Sequence, residues 1–267
     1  VQMMNGFRGL TMIIFGSLDG VLSKRITRIE EGVLLRRFMG KATLHLLQTC
    51  PFSWKVRGIV EHLGMDVEEI QVNAMKTKKE LSFTNGWNKV PVFTDTEGTV
   101  VVDSTPIMSY IDDKYNQGKL STGKGTERYD NMLDHVDNAW KSATIPILYG
   151  SLGSALSTTR RVSKLEKFGF ISRRLYAWAG FPIMWGIIAR KRVKKDGRTP
   201  KKLWHDLLTE YTESFEGKDF FGGEHPDLVD FAAFGYMRSV SPFKQFRLLE
   251  EHENGMVWYQ KMEQHLN

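Results

Sequence analysis

The sequence predicts two units in tandem, an α/β domain over about residues 41–118 and an all-α domain over residues 119–267. Three observations lead there. Short, strand-length apolar runs flank a helix-period face between Leu44 and Val72. Pro91 opens a further strand-length run that turns back through Asp95-Thr96-Glu97-Gly98. Beyond the polar, glycine-containing stretch from Gly118 to Gly125, apolar residues recur at helical spacing.

The elements follow in order. Residues 1–40 form an N-terminal extension to which no element is assigned. Leu44, Leu46 and Leu47 make a first strand that runs out at Thr49-Cys50-Pro51. Phe52, Val56, Ile59, Val60 and Leu63 recur at i, i+4, i+7, i+8 and i+11, one face of a helix. Pro51 suits its first turn, where a missing N–H costs nothing, and Gly64 suits its C-terminal stop. Val67–Val72 reads as a second strand. Strand, helix and strand then form a βαβ unit, which implies parallel pairing. Lys76–Phe83 is weakly helical. Val90–Thr94 and Thr99–Val102 are two strands at hairpin separation. Ser104 is placed to cap a helix carrying Ile107, Tyr110, Ile111 and Tyr115. The order βαβ then ββα is that of a thioredoxin-like domain. In the second unit, Tyr129, Met132, Val136 and Trp140 mark one helix. Trp204, Leu207, Leu208, Tyr211 and Phe215 mark another. Asp227 and Asp230 have the spacing of a helix-capping pair ahead of Phe231, Phe234 and Met237.

Charge is distributed unevenly. The net charge is +6, yet between Arg160 and Lys202 fourteen Lys and Arg stand against two acids, Glu166 and Asp196. Such a run is a solvated helical face, a surface drawn to anionic lipid headgroups, or a nucleic-acid contact. The last has no accompanying nucleic-acid-binding motif, so no nucleic-acid partner is expected. The segment Leu175–Ala189 is too short and too broken by Gly180, Pro182 and Gly186 to span a bilayer. Its aromatic content suits a buried or membrane-surface helix. A hydrophobic share of 41% argues against wholesale disorder. The single cysteine excludes an intramolecular disulfide and fits a reducing, intracellular compartment. The chain starts at Val1, which leads us to expect that a native N-terminus and any targeting segment are missing.

Chemistry concentrates at Thr49-Cys50-Pro51-Phe52-Ser53. At a helix N-terminus, unsatisfied N–H groups and the dipole favour a thiolate, so a lowered Cys50 pKa is expected. Ser53, one turn on, is placed to donate to the sulfur. It cannot resolve a mixed disulfide, so redox chemistry here is monothiol and uses an external thiol such as glutathione. Cys50 and Ser53 are therefore the candidate catalytic residues. The alternative is that Cys50 is a small buried hydrophobe. Lys89-Val90-Pro91 places a proline at a strand's first residue, a position that predicts a cis bond and a Val90 backbone free to pair with an extended peptide. Asp103-Ser104 lies at the next strand-to-helix turn, where a hydroxyl and N–H bind carboxylate and Asp103 pairs with an ammonium. Cys50, Pro51, Phe52, Lys89, Val90, Pro91, Asp103 and Ser104 are the candidate glutathione-binding residues.

These residues, in this order and spacing, resemble the N-terminal domain of glutathione transferases and glutaredoxins. Phe221-Gly222-Gly223 followed by Pro226-Asp227-Leu228-Val229-Asp230 resembles the capping segment of the transferase C-terminal domain. Within the superfamily the chain is most similar to the membrane-associated prostaglandin E synthase type 2 family, through Thr49–Leu63, the Lys89-Val90-Pro91 strand and the long basic insertion, about residues 160–202. The resemblance implies a glutathione-transferase-like fold, glutathione as cofactor, a homodimer and association with a membrane, at a mitochondrial or Golgi/cytoplasmic face. It also implies isomerisation of prostaglandin H2, a fatty-acid-derived endoperoxide, to prostaglandin E2. That family has a second cysteine where Ser53 stands and a tyrosine where Leu47 stands. The Cys-Pro-Phe turn equally resembles omega-class transferases, which implies a monothiol transferase or thioltransferase acting on a small apolar electrophile. A third reading is a non-catalytic interaction module at a membrane surface.

Other patterns are silent. The seven histidines, at 45, 62, 135, 205, 225, 252 and 265, form no metal-binding pair at helical spacing, so no metal site is expected. Gly123-Lys124-Gly125-Thr126 lacks the upstream glycine and strand of a phosphate loop.

Overall fold

The computed structural model describes residues 41–169, 173–174, 176 and 182–266. The N-terminal extension and most of Leu175–Phe181, including Trp178, lie outside these.

Strand β1 (Ala42–Leu46) is followed by helix α1 (Pro51–His62) and β2 (Val67–Gln71), and β1 and β2 pair in parallel, as the βαβ reading requires. A short helix α2 (Thr77–Glu80) leads to β3 (Val92–Thr94) and β4 (Val100–Val102), an antiparallel hairpin. The sheet order is β2-β1-β3-β4. Helix α3 (Ser104–Asn116) returns against the sheet through Ile107, Met108 and Ile111. Gly64, at φ +57°, stops α1 where the sequence places its end.

The second unit is helical. Helix α4 (Glu127–His135) passes through a wider π-type turn at Val136–Trp140 into α5 (Lys141–Tyr149). Then come α6 (Leu152–Leu165), a π-type segment Ile183–Ala189 running into α7 (Arg190–Asp196), and α8 (Pro200–Glu213). Helices α9 (Leu228–Arg238), α10 (Arg247–Glu250) and α11 (Glu253–Gln264) complete it. Trp140, Trp204, Tyr211 and Trp258 meet edge to face at 5.1–6.4 Å at its centre. The predicted Asp227/Asp230 capping box is present, with each side chain accepting from the other's backbone N–H. Asp230 also accepts from the Phe221 and Gly222 N–H groups, Tyr211 Oη and Trp258 Nε1, so one buried carboxylate ties three helices together.

Helices α1 and α9 hold the two units together. A Cβ on Gly235 would lie 2.5 Å from the Lys55 backbone N, so only glycine permits this approach. Two readings are corrected. The residue capping α3 is Asp103, whose side chain accepts from the Ser104 N–H, and Ser104 is the first helical residue. The 118–125 stretch, whose polar, glycine-containing composition reads as a linker, is anchored, because Leu120 is buried, its N–H donates to Asp112 and its carbonyl accepts from Leu228 N.

Candidate functional site

Register brings the predicted residues to one edge of the sheet. His45 pairs with Val92, and Val92 with Val102. The C-terminal ends of β1 and β4 and the N-terminal end of β3 are therefore neighbours, and Cys50, Pro91 and Asp103 all emerge there. The Val90–Pro91 bond is cis. Among the described residues no hydrogen bond engages the Val90 N–H or C=O. Lys89 is exposed, with Nζ 5.5 Å from the Trp87 ring centroid. Asp103 is exposed and sits at φ +71°, a region costly for a non-glycine residue. Ser104 beside it is 2% exposed, and no described residue engages its hydroxyl. A free strand-edge peptide group, a carboxylate and a hydroxyl at a helix start fit an extended peptide ending in an α-amino acid, as glutathione does.

Cys50 precedes α1 with extended backbone and Pro51 in the first turn. Its thiol departs from expectation. Burial pushes the pKa up, and this outweighs the N–H groups of Ser53 and Phe52 and the nearby Ser53 hydroxyl, while the Glu166 carboxylate adds to the rise. Ser53 is fully buried, and its Oγ makes no hydrogen bond of normal geometry. It lies close enough to favour the thiolate without meeting the geometry predicted for a donor.

Three further features complete the site, each involving the helical unit, and sequence reading missed them. Glu166, at the end of α6, is 4% exposed and accepts from Thr49 N at 2.7 Å, Gln48 N at 3.2 Å and Thr49 Oγ1. It fixes the loop that leads into Cys50. The available signal was its standing as one of two acids in a run of fourteen cations. Lys55, on α1, is fully buried and donates to Thr105 Oγ1 at 2.8 Å and to Asp137 Oδ1. Thr105 and Tyr236 also donate to Asp137. Burial lowers the Lys55 pKa and the Asp137 charge opposes this. The third feature is a cavity of about 300 Å3. Thr49, Pro51 and Phe52, which flank Cys50, form one wall, and Ile145, Leu148, Val162 and Phe243 form apolar walls opposite. Tyr149 lines it, and burial raises that phenol's pKa well above its ordinary value. Lys141 and Arg192 stand at this cavity, and neither is in an ion pair among the described residues.

Residues 44–119 match the family described as the glutathione S-transferase N-terminal domain. The chain is 25% identical over 270 residues to prostaglandin E synthase 2 of Danio rerio, covering 84% of this chain and 70% of that one. It is 21% identical over 227 residues to glutathione S-transferase omega-1 of Mus musculus, covering 84% and 78%. A glutathione transferase from Phanerochaete chrysosporium, solved in complex with oxidized glutathione, superposes with a TM-score of 0.56 at 16% identity, covering 84% and 91%. The chain therefore has the glutathione-transferase-like fold, carries a glutathione S-transferase N-terminal domain, and resembles prostaglandin E synthase 2.

Proposed function

We propose that this chain is a glutathione-dependent thiol enzyme acting on an apolar acid, and that its reaction is the isomerisation of prostaglandin H2 to prostaglandin E2. The observation that carries this is the cavity beside the Cys50 turn, with apolar walls and two cations, Lys141 and Arg192, that no carboxylate pairs among the described residues. An acyl chain suits the walls and a carboxylate suits the cations. Glutathione, when bound, supplies a thiol. In this reading Val90 pairs with its backbone, while Asp103 and Ser104 hold its γ-glutamyl end. The Cys50 sulfur attacks one endoperoxide oxygen, the O–O bond breaks, and the other oxygen takes up a proton as a hydroxyl. Loss of the proton on the carbon bearing the sulfur-bound oxygen forms the carbonyl and returns the thiolate, so there is no net oxidation. The same reading includes a homodimer at a membrane surface.

A second reading is a thioltransferase of omega type, favoured by Ser53, which leaves Cys50 no resolving thiol within the chain. Cys50 then attacks a glutathione mixed disulfide and releases the small thiol. The two separate by turnover of prostaglandin H2 against turnover of a small glutathione mixed disulfide, each with Cys50→Ser as control. Isomerase activity lost in Cys50→Ser supports the first reading. Activity on the disulfide alone overturns it in favour of the second. Neither activity, in a folded protein, leaves a non-catalytic interaction module at a membrane surface, a reading that Leu47 and Ser53 in place of the tyrosine and second cysteine support.

A further inference from the structure

A second concave surface lies along the exposed face of α6 and shares Phe243 with the Cys50 cavity. Helix α6 is two-faced. Ala155, Thr158, Thr159 and Val162 are buried, while Leu152, Leu156, Arg160 and Lys164 follow one another at four-residue steps on the exposed face. Leu152 is 51% exposed and Leu156 39%. The segment from Pro242 to Leu248 runs alongside, held by Arg161 Nε donating to the Pro242 carbonyl at 3.2 Å and Gln245 Nε2 donating to the Ser154 carbonyl at 3.3 Å.

Between helix and segment is a groove of two adjoining lobes. One, of about 560 Å3, is bounded by Arg160, Arg161, Lys164 and Lys244 over Phe243. The other, of about 450 Å3, is bounded by Lys244 and Arg247 over Leu248. Gly153 and Ser157 border both, and a Cβ on Gly153 would meet nothing within 4 Å. No Asp or Glu lines either lobe. None of the five cations is in an ion pair among the described residues. Some surface cations elsewhere are paired, Lys201 with Glu251, Lys202 and Arg198 with Asp206, and Lys261 with Asp219, while others such as Lys194 and Lys195 are in no ion pair among the described residues and line neither lobe.

Five like charges facing one concavity repel one another, and a ligand bringing several negative charges relieves that repulsion. Three of the five are arginines, whose planar fork matches phosphate oxygens two at a time. The Ser157 hydroxyl adds a donor. We propose that this groove binds a multiply charged phosphate ester, with Arg160, Arg161, Lys164, Lys244 and Arg247 holding the phosphates, and with Leu156 at its border and the exposed Leu152 one turn before it on α6 meeting the apolar part of the molecule that carries them. The site rests on none of the chemistry proposed at Cys50.

The test uses the full chain and two probes. One is inositol trisphosphate, followed by calorimetry. The other is phosphatidylcholine vesicles with and without phosphatidylinositol bisphosphate, followed by co-sedimentation. Arg160→Glu with Lys244→Glu reverses one charge on each wall and is expected to weaken binding at least about tenfold. Lys194→Glu with Lys195→Glu makes the same change of net charge outside the groove and should cost less than about twofold. Binding of the soluble probe, unaffected by Leu152→Ala with Leu156→Ala, supports the site with a free phosphate compound as ligand. Binding of the bisphosphate vesicles alone, weakened by the leucine pair, supports it with a lipid headgroup. The proposal is overturned if neither probe binds, or if the two charge reversals weaken binding equally. Sulfate at matched ionic strength competing as well as inositol trisphosphate, or an oligonucleotide duplex binding more tightly than either probe, overturns it too.

Discussion

At Cys50 two local effects oppose each other, and burial wins. Burial pushes the thiol's pKa up, and the nearby Glu166 charge adds to the rise. Iodoacetamide alkylation followed against pH should give an apparent pKa above the free-cysteine value of about 8.5. Every thiol signal comes from this one residue, because the chain has no other cysteine. Glu166→Gln removes a negative charge near the sulfur and should lower that pKa, speeding alkylation severalfold at neutral pH. An unchanged pKa in the folded variant would show that Glu166 acts only by holding the loop at Thr49. The cavity beside the turn makes a separate prediction. Lys141→Ala with Arg192→Ala should raise KM for an acidic apolar substrate by about tenfold, with kcat little changed, as expected when binding common to ground and transition states is lost. The methyl ester of the same substrate should show no such change.

Among the elements, the β3–β4 hairpin shows how a turn is tied to a helix. Asp95 accepts from the Glu97 and Thr99 N–H groups within the turn, and from Tyr110 Oη and Lys114 Nζ on α3. Burial pushes the Asp95 carboxyl up, but the Lys114 and Tyr110 hydrogen bonds and the two N–H groups together hold it well below the usual carboxylate range. A depressed folded pKa contributes stability that is present above the unfolded value of about 3.9 and is lost as pH falls through the folded one. Asp95→Asn should therefore destabilise the protein by about 1.5–3 kcal/mol at neutral pH. In urea titrations the gap between variant and parent should begin to narrow below about pH 4 and go on narrowing as pH falls towards the folded pKa, and a gap that did not narrow at all would assign the effect to lost geometry instead of charge. The hairpin itself was legible from Asp95-Thr96-Glu97-Gly98, because turn chemistry is local. The hydrogen bonds from α3 to Asp95 were not, since nothing in a stretch of strand and turn residues says which helix residue will face it.

The same boundary between local and distant information runs through the whole molecule. The βαβ unit, the Pro51 start and Gly64 stop of α1, and the Asp227/Asp230 box were all readable, since each rests on residues within a few positions of one another. What the helical unit adds to the candidate site was not. Glu166 lies 117 positions from Thr49, and Asp137 lies 82 from Lys55. Lys55 in particular reads as one more helix lysine, yet it is buried between α1, the Thr105 end of α3 and the Val136–Trp140 turn. It joins the two units at the residue next to Ser104. Lys55→Met should cost about 3 kcal/mol, the low end for a broken buried pair, because the Asp137 side chain keeps 29% exposure. Adding Asp137→Asn should recover part of that loss by removing the uncompensated charge. If the pair also sets the Asp103–Ser104 turn, Lys55→Met should weaken glutathione binding measured by calorimetry. The double variant should then regain stability without regaining affinity, since Thr105 still lacks the ammonium that held it. Affinity that tracks stability in both variants would reduce Lys55 to a packing role.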